Sequence, residues 1–503
     1  MCFRNLKPRR TFFLFSLFFL LASSGSAQEI EATIKILSPA PNARVRVEGK
    51  LPDAATAVSG GKSWSFLQTY ADVTGLGERI ENLKLLDAQG REIQVKKFAP
   101  GEFEAEKNAA SFQYEVKTEI PQQLTAAAHV SWLADARGLL MLNDLLPQNV
   151  QNAAAKITLE LPESWRVATS ETKQGGEKSF GVKNVGKAIF LIGKDWREQA
   201  KQIEENELNL ATFGEWQFTD AEALEIAGTI LGEHRKTFGE IPFPKTQILL
   251  LPFPQAANFE RWRAETRGST VTIISAPTTF KSSAVNRLHE QLRHEIFHLW
   301  IPNSLNLDGN YDWFYEGFTL YKALKTGVYL NQIRFDDFLS TLGRAFDLTE
   351  ALSRRRSVSL IEASQKRWIN SAELIYAKGI LVAFLADATL LRESKGKRDL
   401  DAIFREVFQK HRAPSRKEDG NAAILRILKS NAELVSLAEK YIEGDSKMDW
   451  QSDLQTFGMS AEKTSGATEV KVISKPSGRQ KDLLNKLGYN QWRRLLQQQK
   501  DNR

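Results

Sequence analysis

The chain has 503 residues, 42% hydrophobic and 26% charged. That composition is globular, is long enough for roughly two to four cores, and excludes a disordered, collagenous or low-complexity protein. The single cysteine, Cys2, excludes an intrachain disulfide framework and a cysteine-built metal site. The net charge of +7 sits at the ends: residues 1–27 hold four basic and no acidic side chains, residues 463–503 hold ten basic and three acidic, and residues 28–462 are net −4. A basic nucleic-acid groove would show the reverse, so no nucleic-acid partner is expected.

Residues 1–27 read as a secretory signal peptide. Arg4, Lys7, Arg9 and Arg10 precede the apolar run Phe12 to Ala22, and the small residues Gly25 and Ala27 suit cleavage before Gln28. The run is eleven residues, short of the ~20 that a membrane span requires. The expectation is a periplasmic or extracellular protein with no transmembrane span in the mature chain. Residues 379–391 come closest to a second apolar span, and Asp387 interrupts them.

From 28 to 205 short alternating runs such as Glu31 to Leu37, Ala43 to Glu48, Ser111 to Val116 and Lys156 to Leu161 are separated by turn clusters, the texture of a sandwich-like β domain. The Glu-rich stretch Asp195 to Phe213 reads as a crossover. Thr219 with Glu222 offers an N-cap and acidic first turn to a helix ending near Phe238, where Gly239 and Pro242 stop it. Thr246 to Leu251 reads as a strand and Val271 to Ile274 as an edge strand. A long helix is expected from Ser282 to Trp300, ended by Pro302, and another from Asp312 to Thr326 with Gly327 as its C-cap. Residues 331–347, 371–392, 399–411 and 432–443 read as helices. Beyond 460 the sequence is a basic tail, with Lys481, Lys486, Arg493, Arg494 and Lys500 either solvated or facing an anionic surface.

Three of the six histidines fall within ten residues. His294-Glu295-Ile296-Phe297-His298 is an H-E-x-x-H motif on the long helix. At 3.6 residues per turn His294 and His298 share one face and can converge on one ion. Glu295 lies beside them, placed to act as general base on a water acidified by Zn²⁺. Arg293 stands where a ligand would be needed in the similar run from His289, so His289 reads as a packing residue. A catalytic zinc takes three protein ligands and keeps one position open. Glu316, in Trp313-Phe314-Tyr315-Glu316-Gly317-Phe318 on the returning helix, is the candidate third ligand. The alternatives are a hydrogen-bonded histidine pair and a glutamate that serves its own helix dipole.

The motif followed by Trp313 to Phe318 resembles the gluzincin metallopeptidases. Tyr376-Ala377-Lys378-Gly379 is similar to their Tyr-x-Lys-Gly segment, and His129 to Pro147 and Tyr441 to Gly458 resemble the glycyl aminopeptidase family, with the aminopeptidase N family second. The resemblance implies a multidomain α+β protein. It comprises a β-sandwich-like domain (28–205), a thermolysin-like α/β catalytic domain (206–335), an α-helical domain (336–460) and a tail (461–503), apparently without the C-terminal PDZ domain of that family. It implies one zinc per chain on His294, His298 and Glu316, Glu295 as general base, Tyr376 as oxyanion donor, and a peptide or protein substrate. Seventeen residues separate His298 from Glu316, one fewer than in the aminopeptidase N pattern. Arg267-Gly268-Ser269-Thr270 stands where those enzymes carry Gly-x-Met-Glu-Asn and offers no carboxylate to a substrate amino group. The expected function is therefore an exported zinc metallopeptidase, with amino-terminal and internal cleavage both left open. The competing reading is a non-catalytic peptide-binding or envelope scaffold on the same fold.

Overall fold

The computed structural model describes residues 29–51, 62–256 and 262–489. The expected signal peptide and Arg493, Arg494 and Lys500 lie outside them.

The N-terminal region is built on two stacked sheets, with a small three-stranded sheet (Ser63–Ser65, Glu102–Ala105 and Val95–Ala99) in addition. In the larger, β1 (Ile30–Ser38), β2 (Arg44–Lys50), β3 (Ile80–Leu86) and β4 (Ser111–Lys117) form antiparallel neighbours in the order β1-β2-β4-β3. Alternation decides which face is buried: Phe112, Tyr114 and Val116 turn inward while Gln113 and Glu115 stay half-exposed. The smaller sheet centres on β5 (Arg137–Met141) paired with β7 (Ile189–Gly193), while β6 (Ala155–Glu160) runs parallel to β1 in the larger one. Leu140, Phe190 and Ile192 close the core against Ile34, Val45 and Tyr114. The opposite face of the smaller sheet, Leu139, Met141, Ile189 and Leu191, packs on Leu249, Leu251 and Ile274 of the next region. Burial on both faces explains why β7 is apolar at every position but its last.

The middle region is a five-stranded sheet, β8 (Arg197–Ile203), β9 (Asn206–Thr212), β10 (Lys245–Leu251), β12 (Thr270–Ser275) and β11 (Trp262–Arg267), in that spatial order. Asp195 to Phe213 is thus a hairpin and not a crossover. The charged residues that disguise it belong to the exposed edge strand β8, where charge prevents edge-to-edge pairing. Val271 to Ile274 lies inside the sheet, not at its edge, because the turn at Gly268 (φ 55°) folds β11 back along it. Helix α1 (Asp220–Phe238) begins with the Thr219/Glu222 capping box and ends at Gly239 (φ 91°).

Helix α2 (Lys281–Phe297) stops one residue before His298, which caps it; the last amides bond three residues back and tighten the turn. Trp313–Phe318 is a π-helical turn that leads into α3 (Thr319–Tyr329), so Gly327 lies inside the helix and is not its cap. A Cβ at Gly327 would sit 2.9 Å from the Arg293 guanidinium carbon, and close approach to α2 is what that glycine provides. Helices α4 (Phe335–Arg355), α5 (Ala372–Glu393) and α6 (Leu400–His411) build the C-terminal region. Helix α5 and the residues leading into it are long and apolar enough to cross a membrane, contrary to the sequence expectation, yet 94% of that apolar stretch is buried within the fold. Asp387 is held there by Lys325 at 2.8 Å and the Leu400 amide at 2.8 Å. Residues 432–443 form three short helical turns in place of one helix.

The expected tail is also structured. Strands β13 (Met459–Thr464) and β14 (Ala467–Val472) pair as a hairpin, and the Thr468 amide donates to Asp347 of α4 at 2.7 Å. Lys481 and Lys486 belong to a helix, Gly478–Lys486, that buries Leu483 and Leu484. The few apolar residues in this polar stretch are enough to dock it.

Candidate metal centre

The last turn of α2 and the π-helical turn that follows bring three acceptor atoms to one point. His294 Nε2 lies 3.1 Å from His298 Nε2 and 3.1 Å from Glu316 Oε2, and His298 Nε2 lies 3.7 Å from that oxygen. His298 Nδ1 donates to the Ile301 carbonyl at 2.9 Å. A carbonyl can only accept, so the proton sits on Nδ1 and the Nε2 lone pair faces the centre. The π turn adds a residue to the helical turn and rotates Glu316 inward, a device common at functional sites. The crossing above it is close: a Cβ on Gly317 would lie 2.6 Å from Gly379 Cα. Two glycines therefore let α5 settle on the turn and set Tyr376 beside Glu316, its hydroxyl donating to Oε2 at 3.0 Å.

The donor set fits zinc. A tetrahedral ion with bonds of about 2.1 Å spaces its ligands about 3.4 Å apart, and the three separations here bracket that value. Lone pairs this close repel unless a cation lies between them. Glu295, 5% exposed, is grouped with the two histidines, their ligating atoms all within 4.8 Å of one another. Thr266 of β11 lies 2.8 Å from Glu295 Oε2 and orients it. Burial alone would raise Glu316, but Arg367 and the two imidazoles override it and hold the carboxylate well below its usual range. Burial would likewise lower His298, and the negative charge of the neighbouring Glu316 carboxylate raises it instead.

A cavity of about 1650 Å³ opens over the centre. Its far wall comes from other regions. Glu265 of β11 pairs with His129 Nδ1 at 2.5 Å and Arg267 Nε at 2.5 Å, and accepts from the Tyr70 hydroxyl. Burial would raise the Glu265 carboxyl, and Arg267 and His129 bring it down to about 2. Asn303 ties the wall to the floor: its Nδ2 donates to the Thr266 carbonyl at 2.8 Å, and its Oδ1 accepts from the Gly268 amide at 2.8 Å. A carboxylate therefore does border the cavity on this strand, two residues upstream of the Arg267 to Thr270 stretch that lacks one. Its signal was the period of two that places Glu265 and Arg267 on one face. Arg367 also lines the cavity and carried no sequence signal. His289 stays half-buried, with its pKa pushed down to about 4 by burial, and does not line the cavity.

The family described as Peptidase M61 N-terminal domain matches residues 69–188. The stretch His129 to Pro147 falls inside it. A comparison with curated proteins returns no match. Among solved structures, an aminopeptidase N family protein from Idiomarina loihiensis superposes with a TM-score of 0.72 at 17% identity, covering 90% of this chain and 82% of that one. An M1 zinc metallopeptidase from Deinococcus radiodurans, in a variant bound to a Tyr-Ser-Ala substrate, gives 0.55 at 13% identity, covering 84% and 95%. The fold is the one shared by these aminopeptidase N family and M1 metallopeptidase structures. Within that fold, the β-rich N-terminal region, the mixed region and the helical region stand in the order expected.

Proposed function

We propose that the protein is an exported zinc-dependent metallopeptidase, with one zinc per chain held by His294, His298 and Glu316. The observation that carries this reading is the convergence of two imidazole lone pairs and one carboxylate oxygen at separations suited to a single ion. Zinc there would polarise a scissile carbonyl and acidify water. Glu295, oriented by Thr266, takes the proton of the attacking water and returns it to the leaving amine. Tyr376 gives a hydrogen bond to the oxygen on which charge develops. The cavity is larger than a typical small-molecule pocket of ~300–1,000 Å³, which suits a peptide. Amino-terminal cleavage is the specific form supported by the carboxylate of Glu265 at the cavity wall. Export is supported by the character of residues 1–27.

A digest of a mixed peptide library read by mass spectrometry, with and without chelator, tests the reading. Wild type should contain zinc and cleave free-amino peptides in preference to N-acetylated ones. Glu295→Gln should keep its zinc and lose cleavage. Purified protein that holds no metal refutes the proposal, and metal without cleavage of any peptide returns the scaffold reading.

A further inference from the structure

Arg367 closes a row of buried charges beside the proposed metal centre. Its Nη2 lies 2.9 Å from Glu316 Oε1 and 3.1 Å from the Tyr376 hydroxyl oxygen. Its Nη1 lies 2.6 Å from Asp312 Oδ1, which also accepts from the Tyr315 hydroxyl at 2.6 Å. The side chains of Asp312, Glu316 and Arg367 are 7%, 9% and 10% exposed.

Glu316 has two oxygens to offer, and this arrangement divides them. Oε2 faces the imidazoles, while Oε1 is taken by the guanidinium. A guanidinium is a planar fork that fixes a carboxylate in direction as well as in charge. A lone buried cation would repel a divalent ion next to it. Asp312, on the other arm of the fork, offsets that charge.

We propose that Arg367 is a positioning residue that confines Glu316 to one-oxygen ligation and so keeps a position at the metal open for substrate, with Asp312 cancelling the guanidinium charge toward the ion. This rests on reading the centre as a metal site. Partners behind a metal ligand typically contribute about 10–100-fold to metal affinity.

Cobalt(II) is the probe. The full-length protein is stripped with chelator and titrated with cobalt, and visible absorption reports both affinity and coordination number, since absorption weakens when four-coordinate cobalt gains a ligand. Arg367→Met should give the weaker absorption of a higher coordination number, because Oε1 is freed. Asp312→Asn should lower affinity yet keep the wild-type spectrum, since the guanidinium still occupies Oε1 while its charge is uncovered. Arg367→Lys should give the spectrum of Arg367→Met, because one ammonium cannot span both carboxylates. The thermal midpoint of each metal-free form separates these effects from loss of fold. A wild-type spectrum in Arg367→Met overturns the proposal and leaves the metal site standing, whereas a wild type that binds no cobalt overturns both. Should Arg367→Met fail to fold, a wild-type spectrum in Arg367→Lys is the overturning result.

Discussion

The floor and the far wall of the cavity are built differently. The floor, His294, Glu295, His298, Glu316 and Tyr376, comes from helices packed in one continuous core, with Phe297, Trp300, Trp313 and Phe314 fully buried beneath it. The wall is a polar cluster in which Tyr70 and His129 of the N-terminal region meet Glu265 and Arg267 of an edge strand. Floor contacts are shorter in sequence, 4 residues between the histidines, 22 from His294 to Glu316 and 60 from Glu316 to Tyr376. Wall contacts run 136 and 195 residues, from His129 and from Tyr70 to Glu265. Under the proposed function, chemistry that tolerates little misplacement would rest on the packed helices, and the docking of one region on another would shape the side that meets a substrate.

If that division is right, floor substitutions abolish or cripple and wall substitutions only tune. Glu316→Gln should have the largest effect, with zinc affinity falling well beyond the ~10–100-fold expected of an outer partner and cleavage lost with it. Metal content by mass spectrometry and peptide turnover check this together. Tyr376→Phe should retain its zinc and lose about 10²–10³ in kcat. An unchanged kcat would remove Tyr376 from the floor.

The same contrast governs what could be read from the sequence. The histidine pair and Glu295 are legible because a helix repeats every 3.6 residues, and Glu316 because a turn and a returning helix limit where it can go. The N-terminal sheets are legible through alternation, as in Ser111–Lys117. The π-helical turn at Trp313–Phe318 leaves no trace in periodicity. Arg367 reaches Glu316 across 51 residues, from a kinked segment in which Asn370 lies outside the helical range. Glu265 is not legible in the sequence, because its partners are decided by how two regions dock. The hairpin at Met459–Val472 reads as a tail for a related reason: Gly343 admits Thr468 against α4, and neither residue announces the other.

The support beneath the floor has its own signature. His234 of α1 is fully buried against Phe297 and Trp300, and its Nε2 donates to the Arg293 carbonyl at 3.0 Å. Burial pushes its pKa down from 6.5 to about 3. Between those values the unfolded chain holds a proton that the folded chain refuses, so stability is full above about pH 6.5 and falls as pH drops toward 3. Each unit of difference is worth about 1.4 kcal/mol. His234→Gln, which keeps a donor but does not titrate, should flatten this acid limb in urea melts run from pH 7 to 4. A limb as steep as wild type would assign it to other groups.

Tyr70→Phe tests the wall and should be the mildest change. It removes one hydroxyl from Glu265, which keeps His129 and Arg267 as partners, so no buried charge is stranded. The expected result is an unchanged kcat and a KM raised about tenfold, near 1.4 kcal/mol of uniform binding. The zinc content and cobalt spectrum should match wild type, because Tyr70 touches none of the three ligands. If kcat instead falls as it does for Tyr376→Phe, the wall takes part in the bond-breaking step. The interdomain cluster would then belong to the catalytic machinery, and the separation of a helical floor that does chemistry from a docked wall that selects substrate would fail.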